Sequence, residues 1–86
     1  MRSQHIWKEK NDDGRRREVR VTKFGGDWKF QAKFADDLDW TYYDRPRVED
    51  LTTLRDVVFR KYQRRRASSE DVEAIDKLLR LYAAQS

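Results

Sequence analysis

Two runs of basic residues are the part of this sequence best suited to chemistry. The first is Arg15-Arg16-Arg17, and the second, residues 60–66, carries five cations and no acid. Guanidinium groups bind phosphate oxygens in a bidentate fashion, so such runs favour contact with a nucleic-acid backbone. Basic runs also occur on solvated faces, and cations are favoured at a helix C-terminus without any ligand. Both interpretations stay open at this point.

The candidate binding residues are cations of these two runs and cations predicted on the exposed face of a sheet. They are Arg15, Arg16, Arg20, Lys29, Lys33, Arg60, Lys61, Arg64, Arg65 and Arg66. Polar side chains predicted on that face can also contact base edges in a groove. They are Lys8, Arg20, Lys29 and Lys33, with Thr22, Gln31 and Thr41. Glu18 and Asp39 are predicted on the same face, where their carboxylates would repel phosphate.

The remaining polar residues predict no catalytic residue, metal site or cofactor. The chain has no cysteine, and its one histidine, His5, has no recognisable nucleophile as a partner. The acidic residues between 36 and 50 lack the spacing and the glycine of a calcium loop. The three glycines all fall in predicted turns, so there is no glycine-rich phosphate loop. We therefore predict a non-enzymatic binding module.

The composition is that of one small, highly charged domain. The 86 residues carry a net charge of +4, and 42% of them are charged against 37% that are hydrophobic. Aromatic residues make up 13% of the chain, and each can bury a large apolar area, so a thin core is expected. No apolar run approaches the length of about 18 residues that a membrane span needs, and no signal peptide is visible. These features predict one cytoplasmic domain over residues 1–86.

Alternating hydrophobicity between residues 5 and 43 predicts an antiparallel meander of three to four strands. The strands are expected at about 4–10, 15–24, 27–34 and 38–43, separated by turn signals rich in Gly, Asn and Asp. Turn chemistry and charge pairing predict the register, with Trp7 opposite Val19, Val19 opposite Ala32, and Ala32 opposite Trp40. One apolar face results, formed by Trp7, Val19, Val21, Trp28, Phe30, Ala32, Phe34, Leu38, Trp40 and Tyr42.

Apolar residues at helical spacing predict two helices after the strands, at about 46–65 and 69–84. Pro46 suits a first helical turn, with Asp44 as its cap. One stripe runs from Val48 to Tyr62, and Ser68-Ser69 suits the start of the second helix. Because a sheet with one apolar face must be covered, we expect an α+β domain in which this αα-hairpin covers the sheet.

The segment from Arg15 to Arg66 resembles, in topology alone, the plant AP2-type and phage-integrase arm-binding domains. Those domains place three strands before a helix and lay the exposed sheet face into DNA. Here residues 28–34 would form the central strand, and no residue motif carries individual contacts over. The predicted function is nucleic-acid binding, to DNA or RNA, through the phosphate backbone. The alternative is a protein-interaction or accessory domain that binds an acidic protein through the helices or an edge strand.

Overall fold

The computed structural model describes residues 2–84 and confirms the α+β prediction. Four antiparallel strands, β1(Arg2–Lys10), β2(Arg16–Phe24), β3(Asp27–Phe34) and β4(Thr41–Tyr43), form a sheet in the order β1-β2-β3-β4. Two helices, α1(Val48–Gln63) and α2(Ser69–Ala83), follow. The chain divides into a strand unit that ends at Arg45 and a helical unit that begins at Pro46. The covering of the sheet by the helices stays a prediction.

The first two hairpins have the predicted register. Trp7 lies opposite Val19, and Val19 lies opposite Ala32. The first turn closes with a 2.8 Å hydrogen bond from the Asn11 backbone N–H to the Arg15 carbonyl, and Gly14 takes a φ of +84° that an L side chain rarely adopts. Local turn chemistry therefore sets the pairing of the first three strands.

The alternation of the strands separates two faces of the sheet. The inner face carries a row of side chains that are almost fully removed from solvent. They are His5, Arg17, Val19, Val21, Phe30 and Ala32. Burial of a Val or Phe side chain contributes about 1.5–3 kcal/mol, so the apolar members of this face stabilise the register that the turns set. The outer face is the opposite side, which begins at Gln4 in β1 and at Arg16 in β2.

The predicted register of the fourth strand is wrong by one residue. Ala32 pairs with Thr41 rather than Trp40, and Phe30 pairs with Tyr43. The cause is the loop after β3. The Asp37 N–H donates to the Phe34 carbonyl over 3.0 Å, and Oδ2 of Asp37 accepts from the Phe34 N–H over 2.9 Å. The chain closes this turn and then leaves the sheet until Thr41, so the connection is longer than the predicted three-residue loop.

This shift moves three predicted core residues off the inner face. Leu38 lies in the loop and is 94% exposed, and Tyr42 lies on the outer face and is 70% exposed. Trp40 packs against outer-face cations. Tyr43 takes the inner position instead and is half-buried. Its hydroxyl oxygen lies 3.5 Å from Arg17 Nη2. Thr41 also moves to the inner side, while Asp39 lies in the loop outside the strands.

The helices differ from the prediction mainly at their ends. Helix α1 begins at Val48 after an N-cap residue, Arg47, that makes no side-chain capping bond, so neither Asp44 nor Pro46 has its predicted role. Three apolar residues of α1 are fully buried, namely Leu51, Leu54 and Val58. Tyr62, at the end of the predicted stripe, is 42% exposed.

Polar contacts define the helix pair. Ser68 caps α2 by accepting a 3.2 Å hydrogen bond from the Asp71 N–H, which confirms the predicted start. Arg55 of α1 forms a salt bridge with Asp76 of α2. Within residues 2–84, no helix has the length and hydrophobicity to cross a membrane.

The register of β4 predicts unequal losses of stability when either of two neighbouring tyrosines is replaced. Tyr43→Ala removes a half-buried inner ring and should cost about 1–3 kcal/mol of unfolding free energy. Tyr42→Ala removes an exposed ring and should change it by no more than about 0.5 kcal/mol. Urea unfolding of both variants measures the difference, and a larger loss at Tyr42 would contradict the observed register.

Candidate nucleic-acid interface

The outer face gathers most of the cations of the strand unit. Four of the predicted binding residues lie there, namely Arg16, Arg20, Lys29 and Lys33. Lys8 and Lys10 of β1 lie on the same face. The carboxylates at outer-face strand positions within residues 2–84 are Glu18 and, beside the second turn, Asp27. This face is therefore strongly positive.

Four of these cations crowd together at one end of the sheet. Lys10 lies directly opposite Arg16. Two residues further along the strands, Lys8 and Lys33 lie on either side of Glu18. We name Lys8, Lys10, Arg16 and Lys33 the outer basic cluster. Neighbouring strands lie about 4.8 Å apart, so adjacent cations of this cluster can reach one phosphate group. A pocket of about 180 Å³ has three cluster residues, Lys8, Arg16 and Lys33, in its lining.

The pairing of Lys10 with Arg16 breaks a rule of sheet stability. Like charges directly opposite each other on neighbouring strands repel, and cross-strand pairs of this kind change stability by about 0.2–1 kcal/mol. Both side chains are exposed, so water screens part of this repulsion. An anion bound between them would remove the rest of it.

Arg20 lies beside the cluster and is held by an aromatic ring. Its guanidinium carbon lies 4.6 Å from the centre of the Trp40 ring, and Lys33 Nζ lies 5.9 Å from the same centre. Arg20 Nη2 is 3.9 Å from Glu18 Oε2, which is a loose ion pair. Arg20 Nε is buried and makes no hydrogen bond with any described residue. Trp40 thus lies against a guanidinium whose hydrogen-bonding capacity is only partly used.

The basic run in residues 15–17 is divided among three environments. Arg15 forms a 3.0 Å salt bridge with Asp36 and stacks 4.0 Å above the Phe34 ring. The hydrogen bond between Arg15 and Asp36 lowers the pKa of Asp36 and raises the pKa of Arg15. Arg16 is exposed on the outer face, whereas Arg17 is buried on the inner face, 3.7 Å from a Glu9 carboxylate oxygen. Only Arg16 of this run joins the outer basic cluster.

The second basic run closes α1 in the helical unit. Arg60 pairs with Asp56 one turn earlier, and Lys61 is half-buried. Arg64, Arg65 and Arg66 are exposed, and we name these three the helix-end cluster.

The helix-end cluster adopts a tight C-terminal turn. The Arg65 N–H donates to the Tyr62 carbonyl over 2.9 Å, and the Arg66 N–H donates to the Lys61 carbonyl over 2.7 Å. This is the Schellman arrangement, in which the left-handed position usually belongs to glycine. Here Arg65 occupies it with a φ of +59°. The left-handed conformation costs an L residue about 1–2 kcal/mol, so a cation stands where a glycine would be more stable.

Three members of the interface are not among the predicted binding residues. Lys10 continues the alternation of Lys8 along β1, so the sequence pattern already contains its position. The alternating pattern predicts Trp40 in the core because it treats residues 38–40 as part of the fourth strand. In the structure these residues lie in the loop, and Trp40 contacts the outer-face cations Arg20 and Lys33. Tyr42 follows the same error and lies opposite Gln31 on the outer face.

Comparison with known proteins adds no relative: no family model, curated protein or solved structure matches the chain. The part of the chain that the structure describes also contains no group of three or more His, Cys, Asp or Glu side chains able to hold a metal ion. Among the surfaces of the strand unit, the outer face has the densest group of cations.

Replacement of one member of the repelling pair should stabilise the protein. Lys10→Glu places a carboxylate opposite Arg16 and should raise the free energy of unfolding by about 0.2–1 kcal/mol. Lys29→Glu is the matched control because its partner on β2 is the uncharged Thr22, so little gain is expected there. Chemical denaturation measures both variants, and equal gains would show that the repulsion is negligible.

The strained turn after α1 gives a second stability test. Arg65→Gly should raise the free energy of unfolding by about 0.5–1 kcal/mol, because relief of the left-handed strain exceeds the extra backbone entropy of glycine. Arg64→Gly is the control: its φ of −94° suits any residue, so the same change should destabilise by about 0.5–1 kcal/mol. A loss of stability in both variants would contradict the strain at Arg65.

Proposed function

We propose that this protein is a non-enzymatic binding module that contacts the phosphate backbone of nucleic acid through the outer face of its sheet. The observation that carries the proposal is the outer basic cluster, in which four cations, three of them exposed, surround one half-buried carboxylate. Phosphate contacts supply most of the sequence-independent affinity of nucleic-acid-binding proteins.

The structure of β4 supports this proposal in a further way. The sequence pattern predicts Asp39 on the outer face beside Lys33, where it would repel phosphate. With the register shifted by one residue, Asp39 lies in the loop, and Tyr42 takes the outer position opposite Gln31. The carboxylate next to the cluster is then Glu18, which lies 3.9 Å from Arg20 Nη2. Its charge is therefore partly neutralised by an outer-face cation.

An acidic protein is the second candidate ligand, because the same cations would attract clustered carboxylates. The helical unit also exposes two large apolar side chains, Tyr62 and Leu81, at 42% and 51%. Salt dependence and competition with polyglutamate separate the two ligand classes, since cations condense on nucleic acid and are released when it binds.

The proposal is tested by fluorescence anisotropy titrations with labelled duplex DNA and single-stranded DNA and RNA, over a range of salt concentrations. The wild type should bind at about 50 mM salt, and its affinity should fall steeply with salt. The triple variant Lys8, Arg16, Lys33→Gln should bind more weakly. On duplex DNA its log–log slope should be shallower by about 0.9 for each phosphate that the variant no longer neutralises.

Two further triple variants complete the titration. Arg45, Lys77, Arg80→Gln removes the same charge from exposed positions outside both clusters and should change affinity much less. Arg64, Arg65, Arg66→Gln measures the share of the helix-end cluster. Circular dichroism establishes that each variant is folded. Three results would contradict the proposal. They are absence of binding by the wild type, equal losses of affinity in the Lys8, Arg16, Lys33→Gln and Arg45, Lys77, Arg80→Gln variants, and stronger competition by polyglutamate than by unlabelled nucleic acid.

A further inference from the structure

One row of outer-face side chains differs in chemistry from the rows beside it. Ile6, Arg20, Gln31 and Tyr42 lie side by side on β1 to β4, each directly opposite the next. The row on one side holds Lys8, Glu18 and Lys33, and the row on the other holds Gln4, Thr22 and Lys29. The middle row thus offers a methyl-bearing group, a guanidinium, an amide and a phenol, between rows that carry lysines.

The middle row matches what the edges of bases in duplex DNA require. An arginine guanidinium pairs in bidentate fashion with O6 and N7 of guanine, a glutamine amide with N6 and N7 of adenine, and an apolar side chain with the thymine methyl group. Lysine side chains instead act as point charges toward phosphates. The middle row therefore carries the side chains suited to base contacts, and the two flanking rows carry the lysines suited to backbone contacts.

The dimensions of the sheet fit a groove. Lys29 and Lys33 are four residues apart on β3, which is about 13 Å along a strand. The major groove of duplex DNA is about 12 Å wide, and a phosphate backbone runs along each side of it. With the middle row over the base pairs, lysines of the two flanking rows lie near opposite walls of the groove. A single strand has one backbone and would leave one of these rows without a phosphate.

Arg20 is the member of the middle row that is best prepared to contact a base. Its guanidinium stacks on the Trp40 ring, its side chain is 34% exposed, and its Nε is buried without a hydrogen bond among the described residues. A guanidinium held against an aromatic ring loses less conformational freedom when it binds, and its planar fork can make two hydrogen bonds to one base. Its loose contact with Glu18 at 3.9 Å leaves these donors available for stronger bonds.

From these observations we propose that the protein reads sequence in the major groove of duplex DNA, with Arg20 as the guanine-contacting residue and Trp40 as the residue that positions it. This inference rests on the proposed nucleic-acid binding and adds the class of nucleic acid and the source of specificity. Gln31 and Ile6 extend the readout to the neighbouring base pairs. The lysines on either side contribute affinity without preference for sequence.

The test begins with selection of bound molecules from a pool of random duplex DNA by the wild-type protein. A motif that contains at least one G·C pair should be enriched. Affinity for the selected duplex is then compared with affinity for a scrambled duplex of the same composition. Arg20→Lys keeps the charge and loses the bidentate geometry, so this preference should fall by about 5- to 150-fold. Affinity for the scrambled duplex and its salt slope should stay nearly unchanged. Arg16→Lys is the matched control and should leave the preference intact.

A change in the DNA tests the same contact without altering the fold. Replacement of the contacted guanine by 7-deazaguanine removes the N7 acceptor, and it should weaken binding by the wild type about tenfold or more. The same replacement should have little further effect on Arg20→Lys. For the positioning role, Trp40→Leu should lose preference, while Trp40→Phe, which keeps a ring beneath the guanidinium, should retain most of it.

The outcomes separate this inference from the proposed function. Salt-dependent binding with no enriched motif, or tighter binding to single strands, would overturn groove readout and leave phosphate binding standing. An enriched motif that Arg20→Lys and 7-deazaguanine leave unaffected would overturn the role of Arg20. Failure of the wild type to bind any nucleic acid at about 50 mM salt would overturn the proposed function itself, and the inference with it.

Discussion

Pairing of buried apolar residues between β2 and β3 is the constraint on which the rest of the strand unit depends. Val19 lies opposite Ala32 and Val21 opposite Phe30, and all four are almost fully buried. Because side chains alternate along a strand, a slip of one residue would expose these four side chains and bury Arg20 and Gln31, which lie between them. The inner face therefore fixes the outer face, and with it the positions at which cations are presented to solvent.

Much of the fold can be predicted from local turn chemistry and charge pairing. The predictions fail where the backbone departs from regular strand geometry. The turns at Gly14 and Gly25 and the charge pairs across β1 and β2 are sufficient to predict two registers. The register of β4 is not predictable from alternation, because the Asp37 carboxylate closes a turn onto the Phe34 N–H and releases the next residues from the sheet. The outer-face cations of β2 and β3 follow from the pattern, whereas the place of Trp40 requires the structure.

Two features keep charge at a local cost in stability. Lys10 faces Arg16 across the first hairpin, and Arg65 holds a left-handed backbone conformation that glycine would adopt without strain. No sequence signal marks the second feature, since the turn after α1 contains no glycine. Departures from local rules concentrate at functional sites in many proteins, and here both involve cations exposed to solvent. Their retention fits a surface whose charge matters more than a small gain in stability.

The central claim, that the outer face of the sheet is where nucleic acid binds, is tested most directly by NMR titration of the isotope-labelled protein with duplex DNA. Two outer-face groups give well-separated signals of their own, the Gln31 side-chain amide and the Trp40 indole N–H. Both signals, and the backbone amides of Arg16, Arg20 and Lys33, should shift on addition of DNA, while Val19 and Val21 move little. Shifts confined to residues 60–66, with the Gln31 and Trp40 signals unmoved at saturation, would contradict the account.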